Sequence, residues 1–161
     1  MSRVKMTYAA VAELAGRGAL SLDTSALEVE DGYKVFRTLR SLKEAAKSFD
    51  EQKAEIVKSR VPDEELRRAQ EYERAGDKTA EGLMSRADYE AVIAKLGEAN
   101  RLVVKLAEDE VDVEARPVPF KVYHALKKAN GGVLKSDVDI ALEGVLWKDE
   151  EEMKDEPAGA E

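Results

Sequence analysis

Two apolar heptad patterns constrain this chain more than any other feature. Val35, Leu39, Leu42, Ala46, Phe49, Lys53 and Ile56 succeed one another at alternating steps of four and three residues, and Tyr89, Val92, Leu96, Ala99, Val103 and Leu106 do the same. Such spacing keeps each set on one seam of an α-helix. The only break is the charge at Lys53, which either sets register at some cost in stability or snorkels outward. Folding the chain back so that opposed positions sum to 145 sets Leu39 against Leu106, Leu42 against Val103, Ala46 against Ala99, Phe49 against Leu96 and Ile56 against Tyr89. A slip of one heptad gives a second usable seam. The 145 register is preferred because it brings both arms to their ends together, at Arg60 and Ser85.

Charged residues make up 37% of the 161 positions and hydrophobic residues 43%, with few aromatics. That balance favours long, solvent-washed helices over a compact mixed sheet, and the length suffices for one domain with a real core. The expected fold is therefore mainly α: a long antiparallel, coiled-coil-like helical hairpin with a small α+β cap formed by short terminal helices and one or two short strands. A single domain over 1–147 is expected, with arms at about 32–60 and 85–110, a tip at 61–84 and a cap from 1–31 and 111–147.

Local signals place the remaining elements. The opening MSRVKMTYAAVAELAG lacks the apolar core of a signal peptide and includes Glu13, so it reads as a short helix over 7–15, with Thr7 as N-cap and Gly16 and Gly18 as its stop. Residues 19–30 alternate only in places and leave a strand or an extended connection open. Asp31 predicts the start of the first arm, and Pro62 ends it. Between Val61 and Met84 the chain is too long for a simple turn; Asp63–Ala75, with Leu66, Ala69 and Tyr72 in line, predicts a short exposed helix followed by a flexible return through Gly82. Ser85 with Asp88 has the form of a capping box for the second arm.

After Asp109 the period changes from 3.6 to 2, because Val111, Val113 and Ala115 alternate with Asp112, Glu114 and Arg116. Pro117 and Pro119 keep the chain extended and confine this strand to an edge or end it. Its partner is expected in residues 19–30 or in a second copy of the protein. Phe120, Tyr123 and Leu126 predict a helix that stops at Asn130, and Ser136 with Asp139 reads as the capped start of a last helix bearing Val138, Leu142, Val145 and Leu146, closed by Trp147. Residues 148–161 hold seven acids against two bases, so this segment carries −5 of the formal −8 and the body only −3. It is expected to be a disordered acidic tail.

No residue constellation commits the chain to a chemistry. The absence of cysteine removes disulfides and thiolate sites. His124, the single histidine, would need three carboxylates to hold zinc and reads as a surface or satisfied helix residue. Ser21, Ser25, Ser85 and Ser136 read as turn or cap residues, and Gly16 with Gly18 opens no phosphate-binding pattern. The acids Glu108, Asp109, Glu110, Asp112 and Glu114 lack the calcium-loop spacing, and Glu150–Glu152 read as solubilising. Arg37, Arg40, Lys43 and Lys47 are the best candidates for a basic face, but Glu44, Asp50 and Glu51 stand among them, as on an ordinary solvated helix. Trp147 is either a lid on the core or an exposed anchor for a partner, with the core preferred. No run reaches membrane-spanning length. No catalytic, cofactor-binding or metal-binding residue is therefore assigned.

The stretches YKVFRTLRSLKEAAKSFDEQKAEI, VDVEARPVP and DVDIALEGVLW, in this order, resemble those of a group of small phage and prophage proteins of uncharacterised function, from whose pattern the insertion Val61–Met84 departs. The resemblance covers about a third of the chain and carries no active residues. It implies a phage origin and a non-enzymatic role, in the host cytoplasm or on the virion. The function expected is structural or assembly-related, through helical protein–protein contacts with itself or other phage subunits, without membrane or nucleic acid. The alternative is a regulator binding nucleic acid or a host protein. A hydrolase using paired carboxylates is the third reading, and would need two acids about 5 to 9 Å apart in a pocket.

Overall fold

The structure, a computed structural model, describes residues 2–154. In chain order the elements are β1 (Ser2–Thr7), α1 (Tyr8–Gly16), α2 (Val29–Arg60), α3 (Asp63–Arg74), α4 (Arg86–Glu108), β2 (Glu110–Ala115), β3 (Val118–Pro119), α5 (Phe120–Ala129), α6 (Ser136–Leu142), β4 (Trp147–Lys148) and α7 (Glu150–Lys154). The protein is mainly helical, and its longest helix, α2, has 32 residues, about 48 Å at the α-helical rise. Two compact units result: Met1–Phe49 with Glu108–Glu161, and Asp50–Ala107.

In the first unit the strand predicted at Val111–Ala115 is present, but its partner is β1 and lies in neither 19–30 nor a second copy. The antiparallel register pairs Val4 with Val113 and Met6 with Val111 on one face, and Arg3 with Glu114 and Lys5 with Asp112 on the other. Apolar thus meets apolar and each base meets an acid, which disfavours a slip of one residue. The opening residues are consequently strand first and helix only from Tyr8. Thr7 does cap α1, accepting a hydrogen bond from the Ala10 N–H at 3.2 Å.

The other edge of β2 faces α2 and is closed by hydroxyls instead of a third strand. Ser41 Oγ accepts the Glu114 N–H at 2.8 Å, and Thr38 Oγ1 accepts the Arg116 N–H at 2.9 Å while donating to the Lys34 carbonyl. This is why Thr38, off the heptad seam, is fully buried. The two hydroxyls stand three residues apart on a helix and meet amides two residues apart on a strand, so both spacings coincide near 5 to 7 Å.

Around this sheet the core gathers Val11 and Leu14 of α1, Val35, Leu39, Leu42 and Ala45 of α2, Tyr123 and Leu126 of α5, and Leu134, Val138 and Leu142. The last predicted helix is cut short. Gly144, at φ +79°, turns the chain, so that Val145, Leu146 and Trp147 reach the core from a turn and from β4, which runs parallel to β3. Asp139 is not the capping partner of Ser136; its own N–H bonds the Lys135 carbonyl. Within the segment expected as a tail, Lys148 pairs with Pro119 and Glu150–Lys154 is helical. Residues 155–161 of that tail lie outside the described residues.

The second unit has its own core of Val61, Ala69, Tyr72, Met84 and Val92, with Leu66, Leu83, Tyr89 and Leu96 packed against it. The predicted tip helix is α3, and it takes the first half of the α4 seam. Tyr89, which the 145 register sets against Ile56, stacks on Tyr72 at 4.5 Å between ring centroids. Lys95 pairs with Glu65 at 2.8 Å, and Arg60 with Glu98 at 3.6 Å. The return toward α4 is anchored: Lys78 Nζ donates to the Tyr72 and Glu73 carbonyls at the end of α3, Met84 is buried, and Ser85 Oγ accepts the Asp88 N–H as its cap role requires. No helix among the described residues is long and apolar enough to cross a membrane.

Candidate functional site

Within the first unit, α2 carries a second stripe beside its buried seam. Val29, Tyr33 and Phe36 are 88, 50 and 55% exposed, and steps of four and three continue from them to Arg40 and Lys43. Apolar side chains at such spacing normally turn inward. Here the inward face is already filled by Val35, Thr38, Leu39 and Leu42, so residues one position further round remain in water.

Phe36 and Leu39 form one side of a groove of about 200 Å³ with Arg40 and Lys43, and Leu20, Ser21, Leu22 and Thr24 of the α1–α2 connection form the other. That connection is fixed. Asn130, at the end of α5, accepts the Asp23 N–H and donates to the Asp23 carbonyl, both at 2.9 Å, and Leu20 is buried. Asp23 in turn accepts the Ser25 N–H, and the bond to Ser25 holds its carboxyl below the usual range. Arg40 pairs with Glu44 at 3.2 Å, whereas Lys43 makes no ion pair among the described residues.

A second cleft of about 260 Å³ lies between α1 and α6, lined by Met6, Ala10, Leu14, Val138 and Ala141 under the exposed Ile140. Its charges answer each other, since Arg17 bonds Asp137. In the second unit Tyr72, Lys78, Arg86 and Tyr89 border an open cleft, but Lys78 is spent on the α3 carbonyls and Arg86 on Glu90.

The candidate basic face divides. Arg37 turns to Glu114, which also receives Arg116; these two bonds, Arg116 first, hold the Glu114 carboxyl low, and the bond to Glu114 raises Arg37. Only Arg40 and Lys43 border the groove. The acidic run is likewise partly committed, through Glu114 and through Glu110, which lies 3.9 Å from Lys5. Lys53 sits half-buried, 3.2 Å from Asp50, in the manner of a snorkelling lysine. His124 is exposed beside Phe120, and Glu150 pairs with Lys121. Among the described residues no cluster of three or more His, Cys, Asp or Glu side chains has metal-holding geometry.

Trp147 is in the core. It packs against Phe120 at 4.9 Å and Tyr123 at 5.7 Å, and its indole N–H donates to the Asp139 carbonyl at 3.0 Å. It closes a network that the sequence reading missed. The buried Tyr123 O–H donates to one Asp139 oxygen at 2.6 Å and Lys127 bonds the other. Burial, then the Asp139 hydrogen bond, pushes the Tyr123 phenol far above its ordinary value. A phenol held protonated in this way is a fixed donor and no base. Tyr123 and Lys127, four apart on α5, were the available signal; their convergence on Asp139 depends on how α6 packs.

In searches of known protein families, curated proteins and solved structures, nothing matches this chain.

Proposed function

We propose that this chain is a non-enzymatic structural or assembly-interaction protein that works through helical protein–protein contacts, with the outward stripe of α2 as its principal contact. The observation that carries this is the run Val29, Tyr33, Phe36, three large apolar side chains left in water over two turns of one helix. Burying side chains of this size is worth on the order of 1.5–3 kcal/mol each, the scale that aromatic anchors contribute to interfaces. The most conspicuous buried polar group, Tyr123 with Asp139 and Lys127, is occupied in holding α5 to α6, which supports a structural role for it.

The hairpin belongs to the same proposal. In it, α2 and α4 are arms of one antiparallel pair; the Arg60–Glu98 ion pair supports this for the last turn of α2. A phage or prophage origin, with action in the host cytoplasm or on the virion, rests on the resemblance of YKVFRTLRSLKEAAKSFDEQKAEI, VDVEARPVP and DVDIALEGVLW to such proteins.

Light scattering after size exclusion tests the contact. Wild-type protein is expected to associate, with itself or with a product of a flanking gene, and a Tyr33→Glu, Phe36→Glu variant of unchanged helicity is expected to lose that association. A protein that stays monomeric at high concentration and binds no such product would sink the proposal.

A further inference from the structure

We infer that the groove between α2 and the α1–α2 connection is a docking site for an acidic amphipathic peptide segment of a partner protein. The inference rests on the interaction role proposed for α2 and names the chemistry of what it receives. Three observations support it. The floor is apolar, from Leu22, Phe36 and Leu39, and of a volume suited to one or two aliphatic side chains. Among the described residues the only charged ones lining it are cations, Arg40 and Lys43, one helical turn apart, and Lys43 has no ion-pair partner there. The wall opposite α2 is held in advance by the reciprocal Asn130–Asp23 bonds, so little ordering is needed on binding.

These features select among occupants. A nucleic acid requires a longer track of cations, and here Glu44 beside Arg40 and the acids Glu28, Glu30 and Asp31 near Val29 flank the stripe. A peptide with aliphatic residues on one face and carboxylates on the other places the former against Phe36 and Leu39 and the latter against Lys43 and Arg40. This is the helix-in-groove mode with a charged rim that sets orientation.

The test uses the full chain and a fluorescein-labelled synthetic helical peptide with leucines on one face and glutamates on the other. Its counterpart carries lysines for the glutamates. Saturable anisotropy is expected with the acidic peptide only, with amide shifts confined to Leu20–Thr24 and Phe36–Lys43. Lys43→Glu and Phe36→Ser should each weaken binding about tenfold or more, while Ile140→Ser, at the other cleft, should leave it unchanged. Circular dichroism on each variant separates lost binding from lost folding. Equal binding of both peptides, preference for a single-stranded oligonucleotide, or no saturable signal overturns the inference. If the peptide fails while Tyr33→Glu, Phe36→Glu still abolishes association, the groove chemistry is wrong and the α2 contact stands; if that variant also changes nothing, both fall.

Discussion

Replacing Thr38 with valine keeps the shape of the side chain and removes one oxygen, and the structure and the heptad pattern disagree about the sign of the result. On a seam-only view, position 38 is a helix site where an added methyl is neutral or helpful. In the structure its hydroxyl is the acceptor for the Arg116 N–H at 2.9 Å, at full burial. Losing that acceptor leaves a backbone donor unanswered, worth about 1–3 kcal/mol. Arg116 is only half-buried, so water relieves part of this, and the valine methyl returns a fraction through burial. A net destabilisation of about 1 kcal/mol follows, or roughly 2–4 °C in melting temperature for a chain of this size. Trp147, the sole tryptophan, lies in the same unit, so its fluorescence in urea reports the relevant transition. Amide exchange gives the local readout: the Arg116 N–H should lose protection while Glu114, bonded to Ser41, keeps its own. A valine variant that is more stable than wild type, with Arg116 still protected, would refute the edge-closing role of the hydroxyl.

Other outcomes follow from the same geometry. The Tyr123 phenol has a raised folded-state pKa, so its contribution is complete below the ordinary value of 10.0 and is lost as pH rises through the folded one; Tyr123→Phe should flatten the alkaline fall in the urea midpoint, and an unchanged slope counts against the network. Asp139→Ala removes the acceptor of that buried phenol and the partner of Lys127, and should cost about 2–3 kcal/mol by the same assay. Glu114 has the opposite sign: its folded pKa is depressed, so its contribution is present above the ordinary 4.5 and disappears as pH falls through the folded value. Glu114→Gln should therefore weaken the pH dependence of stability in acid, and an identical acid profile would exclude the Arg37–Glu114–Arg116 cluster as its source. Gly144→Ala should cost about 1–2 kcal/mol because φ is +79°, whereas Gly132→Ala, with ordinary φ and open space, should be neutral or stabilising by up to about 1 kcal/mol; equal effects would contradict the turn that delivers Trp147.

Elements governed by local chemistry were legible in the sequence. Heptad spacing marked α2 and α4, Pro62 ended α2, Ser85 capped α4, alternation marked β2, and Asn130 closed α5. Each depends on a period or a dihedral preference that a residue and its near neighbours carry with them. Pairing was not legible. β1 is six residues whose alternation of Arg3, Val4, Lys5 and Met6 is too short to stand out, and its assignment needs the complementary acids more than a hundred positions away on β2. Val145, Leu146 and Trp147 continue an apolar run that reads as one helix with Val138 and Leu142, whereas the positive φ of Gly144 breaks it.

The candidate site divides along the same line. Composition and spacing determined that α2 would be long, apolar along one seam and mixed in charge elsewhere. Tertiary structure decided which of its side chains stay in water. Thr38 is drawn inside to accept the amide of Arg116 just past β2, Arg37 is turned to Glu114, and Phe36 and Lys43 are left outside facing a connection that Asn130 holds in place. The physical reason is that a heptad fixes only the angle between side chains around one helix. What each angle meets is set by elements distant in sequence, and the free energy of a buried amide or of an unanswered charge is decided there.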